Sequence, residues 1–255
     1  MKVGICGFGW VGKAMFKLFP DALVYDPAVE SLTTQEDINN CDITFVCVPT
    51  PCVNEGRLDT SIVEEVIKWC KSDLIVIRST VNVGDCKRFA SMNNQNIVYQ
   101  PEYLGESPAH PMLDMKTRPF LIMGGDRKNT RKLIDLYFTV YNANISVRQL
   151  SLREAEVVKL TENRAIFFKV SQCQELYDVC ELAGVDYYAV RDAVYGDDPR
   201  FNTWFTAIYP DKRGANSKCI PKDVYAWCAW AESLGYEPKI TRTMLERNKE
   251  WISQS

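Results

Sequence analysis

Lys159, Asn163, Cys219 and Asp223 have the residue types and spacing of a covalent site that stabilises negative charge on oxygen. Lys159 and Asn163 stand four apart in a helical pattern. They therefore share a face and can donate together to an oxygen that becomes negative. Cys219 lies just before Pro221, and proline suits the first turn of a helix, which puts the thiol at a helix N-terminus. With an ammonium nearby, that placement favours the thiolate. Asp223, one turn on, could orient a water or accept a proton. His110 is the sole histidine, which rules out a multi-histidine metal site and limits any Ser/His or Cys/His pairing to one position.

A second constellation opens the chain. Gly7-Phe8-Gly9-Trp10-Val11-Gly12 fits GxGxxG where a first strand should turn into a first helix. Gly7 permits the tight turn, Gly9 lets backbone approach a pyrophosphate, and Gly12 lets the helix pack closely on the strand. The helix N-terminus offers its N–H groups to the phosphates. Asp26, at the end of the next strand, is placed to accept from an adenosine ribose. A carboxylate there repels a 2′-phosphate, so the cofactor predicted is NAD.

The elements that must position these residues follow from hydrophobic patterning. Apolar runs near 2–6, 22–25, 43–48, 74–78, 96–100, 119–123 and 145–148 read as strands, and segments near 10–19, 60–71, 83–91 and 127–141 read as helices. This alternation predicts an α/β, Rossmann-like, doubly wound and mostly parallel sheet over 1–150. Pro49-Thr50-Pro51 shapes the loop after the third strand, on the edge where such sheets bind ligands. Ser151 and Glu154 make a capping box that opens a helical pattern free of Pro and Gly as far as Gly184. Its length, about 48 Å, suits the spine of an all-helical domain over 151–255. Asp186 caps a further helix ending near Gly196, and two more follow Cys219 and Pro238.

Composition narrows the class without defining it. With 255 residues, 46% hydrophobic and 25% charged, the chain reads as globular. A net charge of -3 gives no reason to expect a nucleic-acid partner. The apolar runs are strand-sized and the N-terminus begins directly with Lys2-Val3-Gly4-Ile5-Cys6, so neither a signal peptide nor a membrane span is expected. Ten scattered cysteines suggest reduced thiols and a cytoplasmic location.

Further motifs come in a fixed order: Cys47-Val48-Pro49-Thr50-Pro51, the segment 54–61, Arg78-Ser79-Thr80-Val81-Asn82-Val83-Gly84, Pro101-Glu102-Tyr103-Leu104-Gly105-Glu106, Ala155-Glu156 with Lys159 and Asn163, and Cys219-Ile220-Pro221-Lys222-Asp223. Together they resemble the UDP-glucose/GDP-mannose dehydrogenase family. The resemblance implies NAD-dependent double oxidation of a nucleotide-sugar alcohol to a carboxylate, through a cysteine-bound thiohemiacetal and thioester. It implies Cys219 as nucleophile, Lys159 and Asn163 on the oxyanion, Asp223 with Thr80 on the water, and Glu102 as base for hydrolysis. Glu106 would contact cofactor or substrate, and Pro49, Thr50, Pro51 and Thr80 would line the cofactor. Arg200, in Asp198-Pro199-Arg200-Phe201, matches an arginine that reaches a neighbouring subunit's site, which implies a homodimer built on the long helix.

Three departures from the family pattern matter, and the first two bear on the substrate. The chain ends after Arg242-Thr243-Met244-Leu245-Glu246-Arg247-Asn248 and its helix, where relatives continue into a domain that grips UDP. The stretch before the nucleophile, Gly214-Ala215-Asn216-Ser217-Lys218, keeps one glycine, so side chains enter where the family brings backbone to the sugar. The segment between Asp26 and the Pro-Thr-Pro strand is short, as though a helix and loop were trimmed. A UDP-sugar would then be held by Tyr103, Leu104, Gly214, Lys212, Arg213, Lys218 and a partner subunit. Two other readings stay open: a two-electron dehydrogenase of the β-hydroxyacid type, which needs no Cys219, and a binding protein for NAD or a nucleotide sugar without catalysis.

Overall fold

The computed structural model describes residues 1–29, 33–54, 56–92, 94–105, 110–141 and 145–254. The chain packs as two units, one built on residues up to Lys159 and the other on Leu160 onward, with short loop pieces near 54 and 110 counted with the second. The divide falls inside the long helix, nine residues beyond the boundary read from the capping box.

The first unit is a seven-stranded sheet: β1 (Val3–Cys6), β2 (Leu23–Tyr25), β3 (Ile43–Val46), β4 (Ile75–Ile77), β5 (Ile97–Tyr99), β6 (Phe120–Gly125) and β7 (Ser146–Leu150), in the order β2-β1-β3-β4-β5-β6-β7. All pairs are parallel except β5 with β6. One rung crosses the whole sheet, joining Tyr25, Cys6, Val46, Ile77, Tyr99, Gly124 and Leu150 in register. It is the last residue of six strands. The loops carrying the glycine motif, Asp26, the Pro-Thr-Pro run, Thr80 and Glu102 therefore all leave the sheet from one line. Strand order reverses at β1, with β2 on one side and β3 on the other, which is where doubly wound sheets open a crevice for ligands.

Helices α1 (Trp10–Leu18), α2 (Gln35–Asn39), α3 (Ser61–Trp69), α4 (Asp85–Met92) and α5 (Arg127–Tyr137) complete this unit, with a 3₁₀ turn at Met115–Thr117. Ile5, Phe45, Val76 and Val98 pack beneath Met15, Leu18, Leu133 and Tyr137 of α1 and α5. Their neighbours on the other face, Cys6, Val46, Ile77 and Tyr99, pack with Val63, Ile67 and Phe89 of α3 and α4. Strands buried on both faces explain the unbroken apolar runs, and each such side chain stabilises the fold by about 1.5–3 kcal/mol. The five-residue α2 was not predicted. It is held by a local capping box between Thr34 and Asp37 rather than by an apolar stripe.

The long helix α6 (Leu152–Ala183) begins at the predicted capping box: Glu154 N–H donates to Ser151 Oγ at 3.2 Å and Ser151 N–H to Glu154 Oε2 at 2.8 Å. It ends at Gly184, whose φ of 66° lets Val185 N–H return to the Cys180 carbonyl at 3.0 Å. In the second unit follow α7 (Tyr187–Tyr195), capped by Asp186, then α8 (Ile220–Ser233) and α9 (Lys239–Ser253). Phe167, Val224, Cys228 and Leu245 make one apolar cluster of this unit, and Cys173, Cys180, Tyr187 and Ile208 another. Asp178 of α6 ties the elements together, accepting from Trp251 Nε1 at 2.7 Å and from Arg213 at 2.6 Å. No disulfide links any of the ten cysteines. Among the described residues no helix is long and apolar enough to cross a membrane, and no group of three side chains is arranged to hold a metal ion.

Candidate active site

The glycine loop has the geometry its three glycines imply. Gly7 has φ 91°, and a Cβ there would stand 2.7 Å from the Cys47 carbonyl oxygen. At Gly12 a Cβ would lie 2.0 Å from the Gly7 carbonyl oxygen, so α1 can cross β1 this closely only without a side chain. A Cβ at Gly9 would meet nothing within 4 Å. Gly9 is the N-cap of α1, with no side chain capping the helix and no acidic residue in its first turn. That leaves an unencumbered backbone face for a pyrophosphate beside Phe8, Trp10 and Val11. Asp26 buttresses the loop: Oδ2 accepts from Phe8 N–H at 2.6 Å and Oδ1 from Ala28 N–H at 2.9 Å. These features fit NAD.

Along the same rung, Pro49 and Pro51 are exposed and Thr50 is buried. Ser79 Oγ donates to the Val48 carbonyl at 2.6 Å, fastening the Thr80 segment to the Pro-Thr-Pro loop. Thr80 is half-buried. Asn82 continues the arrangement, exchanging two hydrogen bonds with the Leu58 backbone, at 2.8 and 2.9 Å.

Glu102 occupies a setting the sequence did not reveal. It is buried, ion-paired through one oxygen with Arg78 and through the other with Arg118, and it accepts from the backbone N–H groups of Tyr103 at 2.6 Å and Leu104 at 2.8 Å. Burial pushes its carboxyl up, but the two guanidinium groups and the two N–H donors outweigh that and hold it below the ordinary range. Its two backbone contacts fix the turn through Tyr103 and Leu104. Tyr103 in turn lies under the ammonium of Lys159, 5.0 Å from ring centroid to Nζ. Lys159 is buried in the first unit. Glu106 lies outside the described residues.

In the second unit, Cys219 is the N-cap of α8, exposed, with Pro221 in the first turn. Its sulfur caps no N–H of its own helix; Ser217 Oγ instead accepts from Ile220 N–H at 3.1 Å. Asp223 N–H reaches the Cys219 carbonyl at 3.3 Å, which puts the carboxylate one turn beyond the thiol. That carboxylate is buried and compensated on both oxygens, by Asn163 Nδ2 at 2.5 Å and by Lys222 Nζ at 2.7 Å. Helix α6 sets Lys159 and Asn163 one turn apart, as the spacing predicts.

Two substrate contacts drawn from the sequence, Arg213 and Gly214, lie against α6 and α9. Arg213 is bound to Gln174 Oε1 at 2.5 Å and to Asp178, and stacks on Tyr177, contacts that fasten it to α6. Gly214, at φ 75°, faces α9: a Cβ there would stand 2.9 Å from Asn248 Oδ1. Asn248 also exchanges two hydrogen bonds with the Ala215 backbone, which by itself accounts for the glycine. Lys212 and Lys218 are exposed. Arg200 is exposed and paired with Asp198 at 2.6 Å, at the edge of a cleft of about 330 Å³ lined also by Lys169, Gln172 and Phe201.

A doubly wound sheet with this glycine loop, followed by helices bearing an exposed N-cap thiol, defines the architecture of a dinucleotide-dependent dehydrogenase. The chain belongs to the UDP-glucose/GDP-mannose dehydrogenase family: residues 26–142 match its NAD binding domain and 153–250 its central domain. The glycine loop precedes the first matched stretch and stands on its own geometry. The UDP-glucose 6-dehydrogenase of Pseudomonas aeruginosa is 29% identical over 88% of this chain and 55% of its own length. The chain thus spans about half the length of the curated relatives it matches. A UDP-glucose dehydrogenase from the archaeon Pyrobaculum islandicum shares the fold at a TM-score of 0.78 and 24% identity, over 98% of this chain and 68% of that one. The 3-hydroxyisobutyrate dehydrogenase of Mycobacterium tuberculosis shares it at 0.74 and 14% identity, over 99% and 94%.

Proposed function

We propose that this chain oxidises the primary alcohol of a nucleotide sugar, UDP-glucose or a close analogue, to the carboxylate in two NAD-dependent steps. The observation that carries the reading is the thiol of Cys219 at the start of α8, one turn before a buried carboxylate fixed by Asn163. NAD, which the glycine loop over 7–12 would hold, would supply the hydride acceptor for each oxidation. The thiolate of Cys219 adds to the aldehyde carbon, giving a thiohemiacetal whose oxyanion Lys159 and Asn163 stabilise. Loss of the second hydride leaves a thioester on Cys219. Water then breaks the carbon–sulfur bond, releasing the carboxylate and restoring the thiol. Asp223, with Thr80, orients that water or accepts its proton.

In this reading Glu102 shapes the Tyr103–Leu104 segment that faces the substrate, because its ionised, fully engaged carboxylate suits anchoring better than proton transfer. Glu106, Lys212 and Lys218 remain candidate substrate contacts. The assembly proposed is a homodimer through α6, whose Leu182 is 90% exposed and whose Val179 is 56% exposed, with Arg200 directed to the partner. The proposed location is the cytoplasm, and neither nucleic acid nor membrane is a proposed partner.

The test is stoichiometric. Purified chain given NAD and a panel of nucleotide sugars should form two NADH and one carboxylate per sugar consumed. One NADH per substrate would point instead to a two-electron dehydrogenase. NAD binding without turnover on any sugar would mark a non-catalytic binding protein.

A further inference from the structure

Glu156 is 1% exposed, yet it is a carboxylate and none of the chemistry above uses it. It projects from the second turn of α6 onto the N-terminus of α4, where Oε2 accepts from Gly84 N–H at 2.7 Å and Oε1 from Cys86 N–H at 2.8 Å. These are two of the N–H groups that a helix start leaves without an internal partner, and a negative charge there is favoured by the helix dipole. The fully buried Cys86 thiol faces the same carboxylate, and Asp85 lies beside it.

Two features tie this cap to the candidate site. Glu156 precedes Lys159 by three residues, so the two share a helix face about 4.5 Å apart along the axis. The capped segment is also the direct continuation of the Thr80 loop, already held by the bonds of Asn82 to Leu58. The first turn of α6 is fixed in height by close approach to the sheet, since a Cβ on Gly124 would lie 2.5 Å from the Ser151 carbonyl oxygen and 2.7 Å from Ala155 Cβ. Close approach sets height but leaves rotation about the helix axis loosely defined, whereas a two-pronged hydrogen bond from the second turn fixes it.

We infer that Glu156 is a positioning residue: by gripping both N–H groups at the start of α4 it sets the rotation of α6, and so holds the Lys159 ammonium over the Tyr103 ring in a fixed relation to Thr80. This rests on the reading of Lys159 as a catalytic cation. A displacement of a catalytic group by about 1 Å can cost on the order of a hundredfold in rate, so a residue that never touches substrate can govern turnover.

The test compares the full chain with Glu156→Gln, which keeps the shape and loses the charge, and with Glu156→Asp, which keeps the charge and shortens the reach. The Lys159 ε-methylene proton resonances, shifted by the Tyr103 ring and identified by their change in Tyr103→Leu, report the ammonium's position without any need for turnover. Both Glu156 variants should move these resonances and speed amide exchange at Gly84 and Cys86. They should also lower kcat by about 10- to 100-fold with NAD affinity unchanged. Faster exchange at Gly84 and Cys86 with the Lys159 resonances unmoved would overturn the inference, leaving Glu156 a helix cap and nothing more. Absence of dehydrogenase activity in the unmutated chain would withdraw the functional reading, while the resonances would still decide the positioning role either way. If Glu156→Gln does not fold, Glu156→Asp alone carries the same comparison.

Discussion

Asn163 Nδ2 meets Asp223 Oδ2 at 2.5 Å, joining residues sixty positions apart. The bond fixes which way the asparagine amide faces, because only its nitrogen can donate to a carboxylate. It also supplies a partner to one oxygen of a carboxylate that is 1% exposed, with Lys222 on the other oxygen. Asn163→Ala should therefore cost about 1–3 kcal/mol of stability, the penalty for leaving a buried polar group short of a partner. Asn163→Asp should be worse, since two adjacent carboxylates cannot both ionise cheaply. Urea midpoints of the two variants, with turnover measured alongside, check the order.

Cys219 is exposed at the head of α8 and packs no core, so Cys219→Ala should leave the fold and NAD binding intact. Carboxylate formation should fall by at least about a thousandfold, as for loss of a nucleophile from a cooperating set. Calorimetric NAD titration beside an NADH assay would show it. Unchanged turnover would favour the two-electron hydroxyacid reading.

The glycine loop separates stability from binding. Gly12→Ala forces a methyl to within 2.0 Å of the Gly7 carbonyl oxygen, and overpacking of this kind costs about 1–3 kcal/mol or more. Gly9→Ala meets nothing within 4 Å. It should melt like the unmodified chain yet bind NAD poorly, because its methyl fills the space kept for the pyrophosphate. Thermal melts with and without NAD distinguish the two.

Glu102 predicts an acid limb. Its folded-state pKa is lowered, so the stability it contributes is present above the unfolded value of about 4.3 and is lost as pH falls through the folded value. The urea midpoint should drop on acidification below that unfolded value. In Glu102→Gln the midpoint should already be low at neutral pH, by about 3–5 kcal/mol for a broken buried pair, and the acid drop should shrink.

What the sequence made legible was local. The capping box at Ser151 and Glu154, the Gly184 stop, the Asp186 cap and the thiol ahead of Pro221 each depend on residues within a few positions of one another, and each stands where the pattern put it. The glycine loop is legible for the same reason. Bonds between distant segments left no such mark. Nothing in the spacing of Arg78, Glu102 and Arg118 announces their shared ion pairs, and the grip of Glu156 on α4 spans seventy positions. The ion pair of Arg213 with Asp178 is also unmarked, because a basic residue ahead of Cys219 looks the same in sequence whether it faces solvent or a carboxylate. Strand direction is equally silent: the apolar run at β6 would look no different in a parallel pairing.

The rung that closes six of the seven strands acts as a common datum for everything mounted above it. Segments hung from that line can lengthen or shrink without disturbing their neighbours' anchor points. A single deletion inside a strand is another matter. It would draw that strand's loop back by about 3.3 Å and turn its inward residues to the opposite face. Tolerance to change in this unit should therefore divide sharply between what hangs from the line and what lies beneath it.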